Sequence, residues 1–279
     1  MTIWEYFSIL PDPRVERTRL HKLEDIITIA LCAVIGGAET WVDIVRFGRA
    51  KEAWFRTFLE LPFGIPSHDT FGRVFVAMNP AEFERCFQAW TADLAGFSEG
   101  KLIAIDGKTL RRSVDRASGR AAIHLVSAWV HENHAVFGQI RTEDKSNEIT
   151  AIPRLLAMLN LTGATVTIDA IGCHRQIGDQ RSTERRYFIS SLSGHTAQRI
   201  AQAVRNHWCV ENELHWSRDV CFGEDQSRAR IGNAAENLSR VRRLALMLLK
   251  NETTAKVGLK AKHLMAGWDE QYLLRVLKI

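Results

Sequence analysis

The chain has 279 residues, of which 46% are hydrophobic and 25% charged, the composition of a globular protein with room for one large domain or two ordinary ones. Its longest apolar run, residues 26–38, is shorter than the roughly 20 residues that a membrane span requires, so we expect no membrane partner. The first residues lack the pattern of an export signal and the five cysteines form no CxxC pair, so we expect a reducing cytoplasm.

The positive charge is concentrated at one end of the chain. The formal net charge is +5, yet residues 227–279 hold eleven Lys and Arg against four Asp and Glu, so the rest of the chain is slightly acidic. A local basic excess is typical of binding to a polyanion such as nucleic acid, although a solvated helical face would produce the same count.

The first 95 residues are predicted to be helical. Apolar positions recur at helical spacing over residues 23–35 and 41–59. Ser67 is a candidate N-cap of a short amphipathic helix, and Asn79 followed by proline indicates another helix start. A helix-turn-helix unit is compatible with this order, but an ordinary connection within a helical bundle is the favoured interpretation. The glycine-rich residues 96–101 mark a boundary, so we predict a helical N-terminal domain over 1–95 and a second domain over 100–279.

The second domain has a mixed α/β order. Three strands are predicted, over 102–106, 121–130 and 134–142, and the last two form a hairpin. A helix capped by Ser146 or Asn147 follows, then a strand in GATVTIDA. A further strand candidate covers residues 185–192, and the remainder reads as helical. This order predicts a mixed sheet with flanking helices.

Two of the predicted strands end on an aspartate. LIAID stops at Asp106 and TVTID stops at Asp169. Each aspartate could simply cap the following turn, but α/β folds place their sites at the carboxyl ends of strands. If the two strands are neighbours, the carboxylates repel each other unless a cation lies between them. Hard divalent ions such as Mg²⁺ prefer these oxygen ligands.

A third carboxylate is available in the segment WCVENELHWSRDVCFGED. Glu211, His215 and Asp219 are spaced four apart and share one helical face. A charged solvent face has the same pattern. Glu213 and Glu224 are alternatives to Glu211 on pattern alone.

The same segment carries Trp208 and Trp216, and we expect such large aromatic side chains to pack rather than to be fully solvated. A metal-binding regulator using His207, Glu211 and His215 is a weaker hypothesis, because the cysteines nearby complete no zinc pattern.

Three carboxylates from separate elements can hold two metal ions for phosphodiester chemistry. Lys108, Arg111 and Arg112 follow the first aspartate and could hold a phosphate backbone beside the metals, or simply form a solvated loop. The C-terminal basic residues expected as a set to contact DNA are Arg228, Arg230, Arg240, Arg242 and Arg243.

Several long motifs together resemble one known family. IAIDGKTLRRS, HLVSAW, KSNEITAIP, TIDAIGC, HWCVENELHW and EDQSRAR stand in the order found in H-repeat-associated insertion-sequence transposases of the DDE superfamily. The resemblance implies a ribonuclease-H-like core that cuts transposon ends and joins them to target DNA. It implies catalytic carboxylates at Asp106, Asp169 and Glu211, which hold two Mg²⁺ ions, with Mn²⁺ as a substitute. It also implies a DNA contact at Arg218, and a homodimer on DNA is compatible with it.

The chain departs from this family in one respect. Only 42 positions separate Asp169 from Glu211, whereas similar transposases have a long stretch there, so the catalytic domain is predicted to be shortened after about residue 177. The missing stretch normally supports the site. Two alternatives therefore stay open: a non-catalytic DNA-binding remnant, and a ribonuclease-H-like nuclease that cuts without joining.

Overall fold

The computed structural model describes residues 3–95, 100–142, 148–168 and 197–278. The helices described in the N-terminal region are α1 (Ile3–Phe7), α2 (Leu23–Ile35), α3 (Trp41–Ala50), α4 (Glu52–Phe55), α5 (His68–Ala77) and α6 (Pro80–Ala95). The bounds of α2 confirm the helix predicted over 23–35. Ser67 caps α5 by accepting a hydrogen bond from the Thr70 backbone, and α6 begins after Asn79, as predicted.

Residues 41–59, whose apolar positions recur at helical spacing, form two helices rather than one, because the chain breaks between α3 and α4. Lys51 leaves helical geometry at φ −114° and ψ 19°. The break lets α4 turn so that Phe55 becomes fully buried, with its ring centroid 6.3 Å from that of Phe47. Burial of these aromatic rings is worth more than continuation of the helix.

A four-stranded mixed sheet forms the second half of the fold. Its strands are β1 (Leu102–Thr109), β2 (His124–Val130), β3 (Ala135–Thr142) and β4 (Thr165–Ile168), in the order β3-β2-β1-β4. β1, β2 and β3 are antiparallel neighbours, whereas β4 lies parallel to β1. Helix α7 (Glu148–Ala157) connects β3 to β4. This sheet with flanking helices confirms the predicted ribonuclease-H-like α/β class.

The C-terminal part returns to helices. They are α8 (Ala197–His207), a π-helical turn (Val210–His215), α9 (Trp216–Phe222), a 3₁₀ turn (Glu224–Gln226), α10 (Ala234–Asn251), α11 (Leu259–Trp268) and α12 (Glu270–Leu277). The helix predicted as continuous from Trp208 is thus interrupted by π and 3₁₀ geometry. The strand predicted over 185–192 and the caps predicted at Ser146 and Asn147 lie outside the described residues.

The two faces of the sheet have different partners. On one face, Ile103 and Ile105 pack with α7. On the other, Ala104 joins a large core that contains α2, α6 and α10. Helix α10 is buried along nearly its whole length and packs against α2, so the N-terminal helices and the C-terminal helices share one core. The division into two domains stays a prediction. None of the helices in the described ranges is long and apolar enough to cross a membrane.

Candidate functional site

Strand β1 carries Asp106 on the face of the sheet that meets the C-terminal helices. Side chains alternate along a strand, so Asp106 shares the face of Ala104 rather than that of Ile105. Its side chain is 15% exposed. The predicted end of the strand at Asp106 is wrong: β1 continues to Thr109, because residues 107–109 pair with β2. Strand residues therefore both precede and follow Asp106, which fixes the backbone that carries the carboxylate.

The π-helical turn brings Glu211 and His215 to this carboxylate. Val210 and Leu214 anchor the turn in the core. Nδ1 of His215 lies 3.1 Å from Oδ2 of Asp106 and 3.6 Å from Oε2 of Glu211. Glu211 is the more open of the two carboxylates, with 52% of its side chain exposed. Short π-helical segments are frequent at functional sites, because they re-aim side chains within a helix.

The three groups stabilise one another's charge. Burial alone would disfavour a charged imidazole, but Asp106 and Glu211 outweigh it, and the pKa of His215 is raised. Burial also opposes ionisation of Asp106, yet the interactions with His215 and with the backbone of Gly107 outweigh it, and the pKa of that carboxyl is lowered. A cation between two carboxylates is what the Coulomb interaction favours at this position.

Asp169 lies outside the described residues. The described part of β4 ends at Ile168, which pairs in parallel register with Ile105. Each member of this pair directly precedes one of the predicted catalytic aspartates. Of the predicted carboxylates, the structure brings Asp106 and Glu211 together, and the place of Asp169 stays a prediction.

The chemistry of the group fits a divalent cation. Oδ2 of Asp106 is buried and accepts no aligned hydrogen bond within the described part of the chain. Ligand atoms of Asp106, Glu211 and His215 lie within 4.8 Å of one another. His215 was noted on the shared helical face but was given no role in the predicted triad. Its spacing from Glu211 was the available signal. The alternative with His207 is not favoured, since Nδ1 of His207 lies 3.0 Å from Oγ1 of Thr167 instead.

Lys108 is turned inward rather than toward solvent. Its Nζ lies 2.5 Å from Oδ1 of Asp219 and its side chain is 9% exposed. It also donates a 3.4 Å hydrogen bond to the backbone oxygen of His215. Lys108 thus ties β1 to α9 directly beside Asp106.

A second histidine–carboxylate pair contacts β1 on the face of the sheet opposite to Asp106. This pair is not among the residues predicted from the sequence. Nε2 of His124 contacts Oε1 of Glu148 at 2.5 Å, and Nδ1 of His124 contacts Oγ1 of Thr109. The pair crosses Gly107 so closely that a Cβ there would lie 2.3 Å from the Glu148 carboxylate. The sequence feature that could have pointed to Glu148 is its place in the motif KSNEITAIP.

Four of the predicted DNA-binding residues are exposed: Arg111, Arg112, Arg228 and Arg230. Arg230 donates a 3.1 Å hydrogen bond to the backbone oxygen of Arg112, which places residues 111–112 beside residues 228–230. Arg111 lies 3.3 Å from Asp225 but remains 81% exposed. We call these four arginines the basic surface.

The other predicted arginine contacts need correction, because these side chains lie in the interior. Arg218 is fully buried and donates to Glu224 at 2.6 Å. Arg242 is buried, and burial lowers its pKa. Arg240 and Arg243 both donate to the carboxylate of Glu84. Guanidinium groups paired in the core hold helices together and do not face a DNA backbone.

Trp208 and Trp216 were expected to pack, but they are 48% and 60% exposed. The buried side of their segment is supplied instead by Val210 and Leu214. Two large aromatic side chains therefore flank the π-helical turn at the surface.

Comparisons with known proteins agree along the whole chain. A family model described as "DDE_Tnp_1-associated" matches residues 4–91, and one described as "Transposase DDE domain" matches residues 98–248. The H repeat-associated putative transposase YhhI of Escherichia coli K12 is 34% identical, over 99% of this chain and 97% of its own length. The putative transposase YncI of E. coli O157:H7 is 32% identical, over 99% of this chain and 94% of its own length. No solved structure matches the chain.

The alignments also measure a difference in length. The alignment with YhhI spans 368 positions, whereas this chain has 279 residues, so at least 89 aligned positions have no counterpart here. Because 99% of the chain is aligned, these gaps are internal. Their location after about residue 177 stays a prediction.

Proposed function

Because the chain belongs to the family of transposases with a DDE domain, we propose that it cuts transposon ends and joins them to target DNA, using Asp106, Asp169 and Glu211. One observation carries this proposal. The fold brings Asp106 and Glu211, which are far apart in the sequence, to the same histidine. Among the described residues, no aligned donor reaches the buried Oδ2 of Asp106. Such an arrangement suits a metal-dependent phosphodiester reaction.

Members of this family generally use divalent metal ions, and we propose two Mg²⁺ ions here, held by the three carboxylates. Bound there, the ions would activate a water or a 3′ hydroxyl and stabilise the leaving oxygen. The chain's own residues prepare the site: β1 fixes the Asp106 carboxylate, and the Lys108–Asp219 pair holds α9 against β1.

The basic surface gives the phosphate backbone a place to bind. Its arginines follow β1 along the chain or lie beside that segment, and their side chains are open to solvent. Neutralising phosphates by exposed arginines supplies affinity that does not depend on base sequence. A cytoplasmic location and a homodimer on DNA stay predictions.

The test is a strand-transfer assay with transposon-end DNA, a target plasmid and Mg²⁺. Asp106→Asn and Glu211→Gln should each lower the yield of joined product by at least about 100-fold, because an uncharged amide replaces a carboxylate ligand of the proposed ions, and even misplacing a catalytic group costs that much. Asp69→Asn is the matched control, since Asp69 is 66% exposed on α5. Nicked DNA without joined product would favour the nuclease alternative instead.

The internal gap favours a second candidate, a non-catalytic DNA-binding remnant. At least 89 positions present in YhhI are absent, and β4 is an edge strand among the described residues. An unpaired edge next to a catalytic strand weakens its support. This candidate predicts DNA binding without cleavage, and recovery of cleavage when the missing stretch of a full-length relative is inserted after residue 177.

A further inference from the structure

A second group of metal-ligating side chains lies away from Asp106, where the β2–β3 connection meets the π-helical turn. It comprises His131, Cys209 and Glu213, each half-buried, and their ligand atoms all lie within 4.8 Å of one another. Within the described residues, this group and the one around Asp106 are the sets of such side chains that come this close.

The backbone brings these residues together from two elements. β2 ends at Val130, and the turn that follows contains His131 and His134, with a 3.2 Å hydrogen bond from the His134 amide to the His131 carbonyl. Cys209 directly precedes the π-helical turn, and Glu213 lies within it, four residues later. Both elements are anchored, because β2 and the π-helical turn each contribute buried residues to the core.

The side chains are already turned toward a common point. Nδ1 of His131 lies 3.2 Å from one oxygen of Glu213, and Nδ1 of His134 lies 2.9 Å from the other. The Nδ1 atom of His131 is buried and has no aligned hydrogen-bond partner in the described chain. A buried imidazole nitrogen that faces a carboxylate and lacks such a bond is free to use its lone pair on a metal.

We propose that this group is a second metal site, specific for a borderline-soft transition-metal ion such as Zn²⁺, with His131, Cys209 and Glu213 as ligands. Imidazole nitrogen, thiolate sulfur and carboxylate oxygen are the ligand types that Zn²⁺ takes in proteins. His134 lies outside this group of three, but its contact with the second oxygen of Glu213 would orient that carboxylate toward the ion. The thiolate gives this site a different metal preference from the one at Asp106, which offers hard oxygen ligands to Mg²⁺.

Among the described residues, Lys250 brings a positive charge against this group. Its Nζ lies 3.7 Å from Oε2 of Glu213 and 5.4 Å from the ring centroid of Trp129. A long flexible side chain can keep its contact with the Trp129 ring while its charge moves away from the bound ion. Replacing Lys250 by methionine should therefore tighten metal binding, because it removes the repulsion and retains the packing.

The metal would have a structural effect on the catalytic carboxylate. Glu213 and Cys209 each lie two residues from Glu211, and His131 lies on the β2–β3 connection. An ion bound to all three ties that connection to the turn that carries Glu211. Metal ligation between two elements contributes directly to the stability of the folded state.

The experiment uses the full chain, stripped of metal with a chelator and titrated with Co²⁺, which reports a thiolate ligand by its charge-transfer absorption. Wild type should bind Co²⁺ with that absorption, and Zn²⁺ should displace it. Cys209→Ser should abolish the absorption and weaken Zn²⁺ binding by more than about 100-fold, since residues outside the coordination shell already contribute 10–100-fold. Cys221→Ser is the matched control, because Cys221 is also half-buried and lies outside the group.

Two further variants keep the test decisive. Glu213→Gln should weaken Zn²⁺ binding with an unchanged far-UV circular dichroism spectrum, and Asp106→Asn should retain the charge-transfer absorption. Absence of a thiolate band in wild type would overturn the proposal. So would Zn²⁺ binding that Cys209→Ser leaves unchanged or that Asp106→Asn abolishes, because the ion would then belong to the other site.

Discussion

The replacement Glu84→Ala should destabilise the fold more than any surface change, because Glu84 joins three elements in the core. One of its oxygens accepts a 3.0 Å hydrogen bond from the Gln139 backbone on β3, and the other accepts from Arg240 and Arg243 on α10. Glu84, Arg240 and Arg243 are each at most 3% exposed. The guanidinium of Arg243 also lies 3.9 Å from the centroid of the Phe87 ring.

The size of the effect follows from what remains after the carboxylate is removed. Burial lowers the pKa of Arg243 to about 10 even with Glu84 present. Without Glu84, the buried Arg243 loses the carboxylate that it pairs with, while Arg240 keeps only its pair with Glu236. Breaking one partner of a buried pair costs about 3–5 kcal/mol. The Gln139 amide also loses its acceptor, which pushes the cost toward the upper end of that range. Against a total stability of about 5–15 kcal/mol, this is a large fraction.

Urea unfolding followed by tryptophan fluorescence measures this loss without adding salt. Arg85→Ala is the matched control: Arg85 is the next residue on α6, is 64% exposed and pairs with Glu82, so its loss should cost less than about 1 kcal/mol. A Glu84→Ala variant as stable as Arg85→Ala would refute the reasoning, since the buried arginines would then not depend on Glu84.

Three further predictions address the strand, the pH response and the DNA. Gly107→Ala should cost about 1–3 kcal/mol in thermal unfolding, because the added Cβ would lie 2.3 Å from the Glu148 carboxylate. Burial would raise the pKa of Glu252, but hydrogen bonds that include those from Thr254 and Tyr272 lower it to about 2. The ionised Glu252 should therefore stabilise the folded state by about 2 kcal/mol. This contribution should be complete above pH 4.5 and lost as the pH falls toward 2. Arg228→Ala combined with Arg230→Ala should lower the slope of log Kd for duplex DNA against log salt by about two.

Each of these predictions has its own comparison. Gly72→Ala should cause no loss, since Gly72 lies within α5 and a Cβ there meets the Trp41 ring at 3.8 Å, an ordinary van der Waals contact. An equal loss from both glycine variants would contradict the steric argument. Glu252→Gln should flatten stability between pH 4.5 and 2 relative to wild type, and an unchanged profile would mean that another carboxylate dominates. If the double arginine variant leaves the salt slope unchanged, the basic surface does not contact DNA.

Much of the fold was predictable because its signals are local. Helix α2 has its predicted bounds, and the cap at Ser67 holds. The β2–β3 hairpin lies within the predicted strands 121–130 and 134–142, although β2 begins only at His124. Errors arose where tertiary packing overrode local preference. The break at Lys51 exists because Phe55 finds a buried position beside Phe47, which no local pattern records.

The candidate site was only partly predictable for the same reason. Asp106 and Glu211 stand in recognisable motifs, and the structure brings them to one histidine. The arginines of α10 have the spacing of a solvated basic face, but Arg240 and Arg243 are buried against Glu84, more than 150 residues earlier in the chain. An arginine's environment depends on the distant segment that packs over it.

The sequence by itself determined the order of helices and strands, the family and the candidate carboxylates, because these are written in periodicity, turn residues and motifs. Only the tertiary structure decided which charges face water. It separated the exposed Arg228 and Arg230 from the buried Arg218 and Arg243, since a charge can enter the core only where an opposite charge from another element meets it. The same packing also set His215 between two carboxylates that the chain places 105 residues apart.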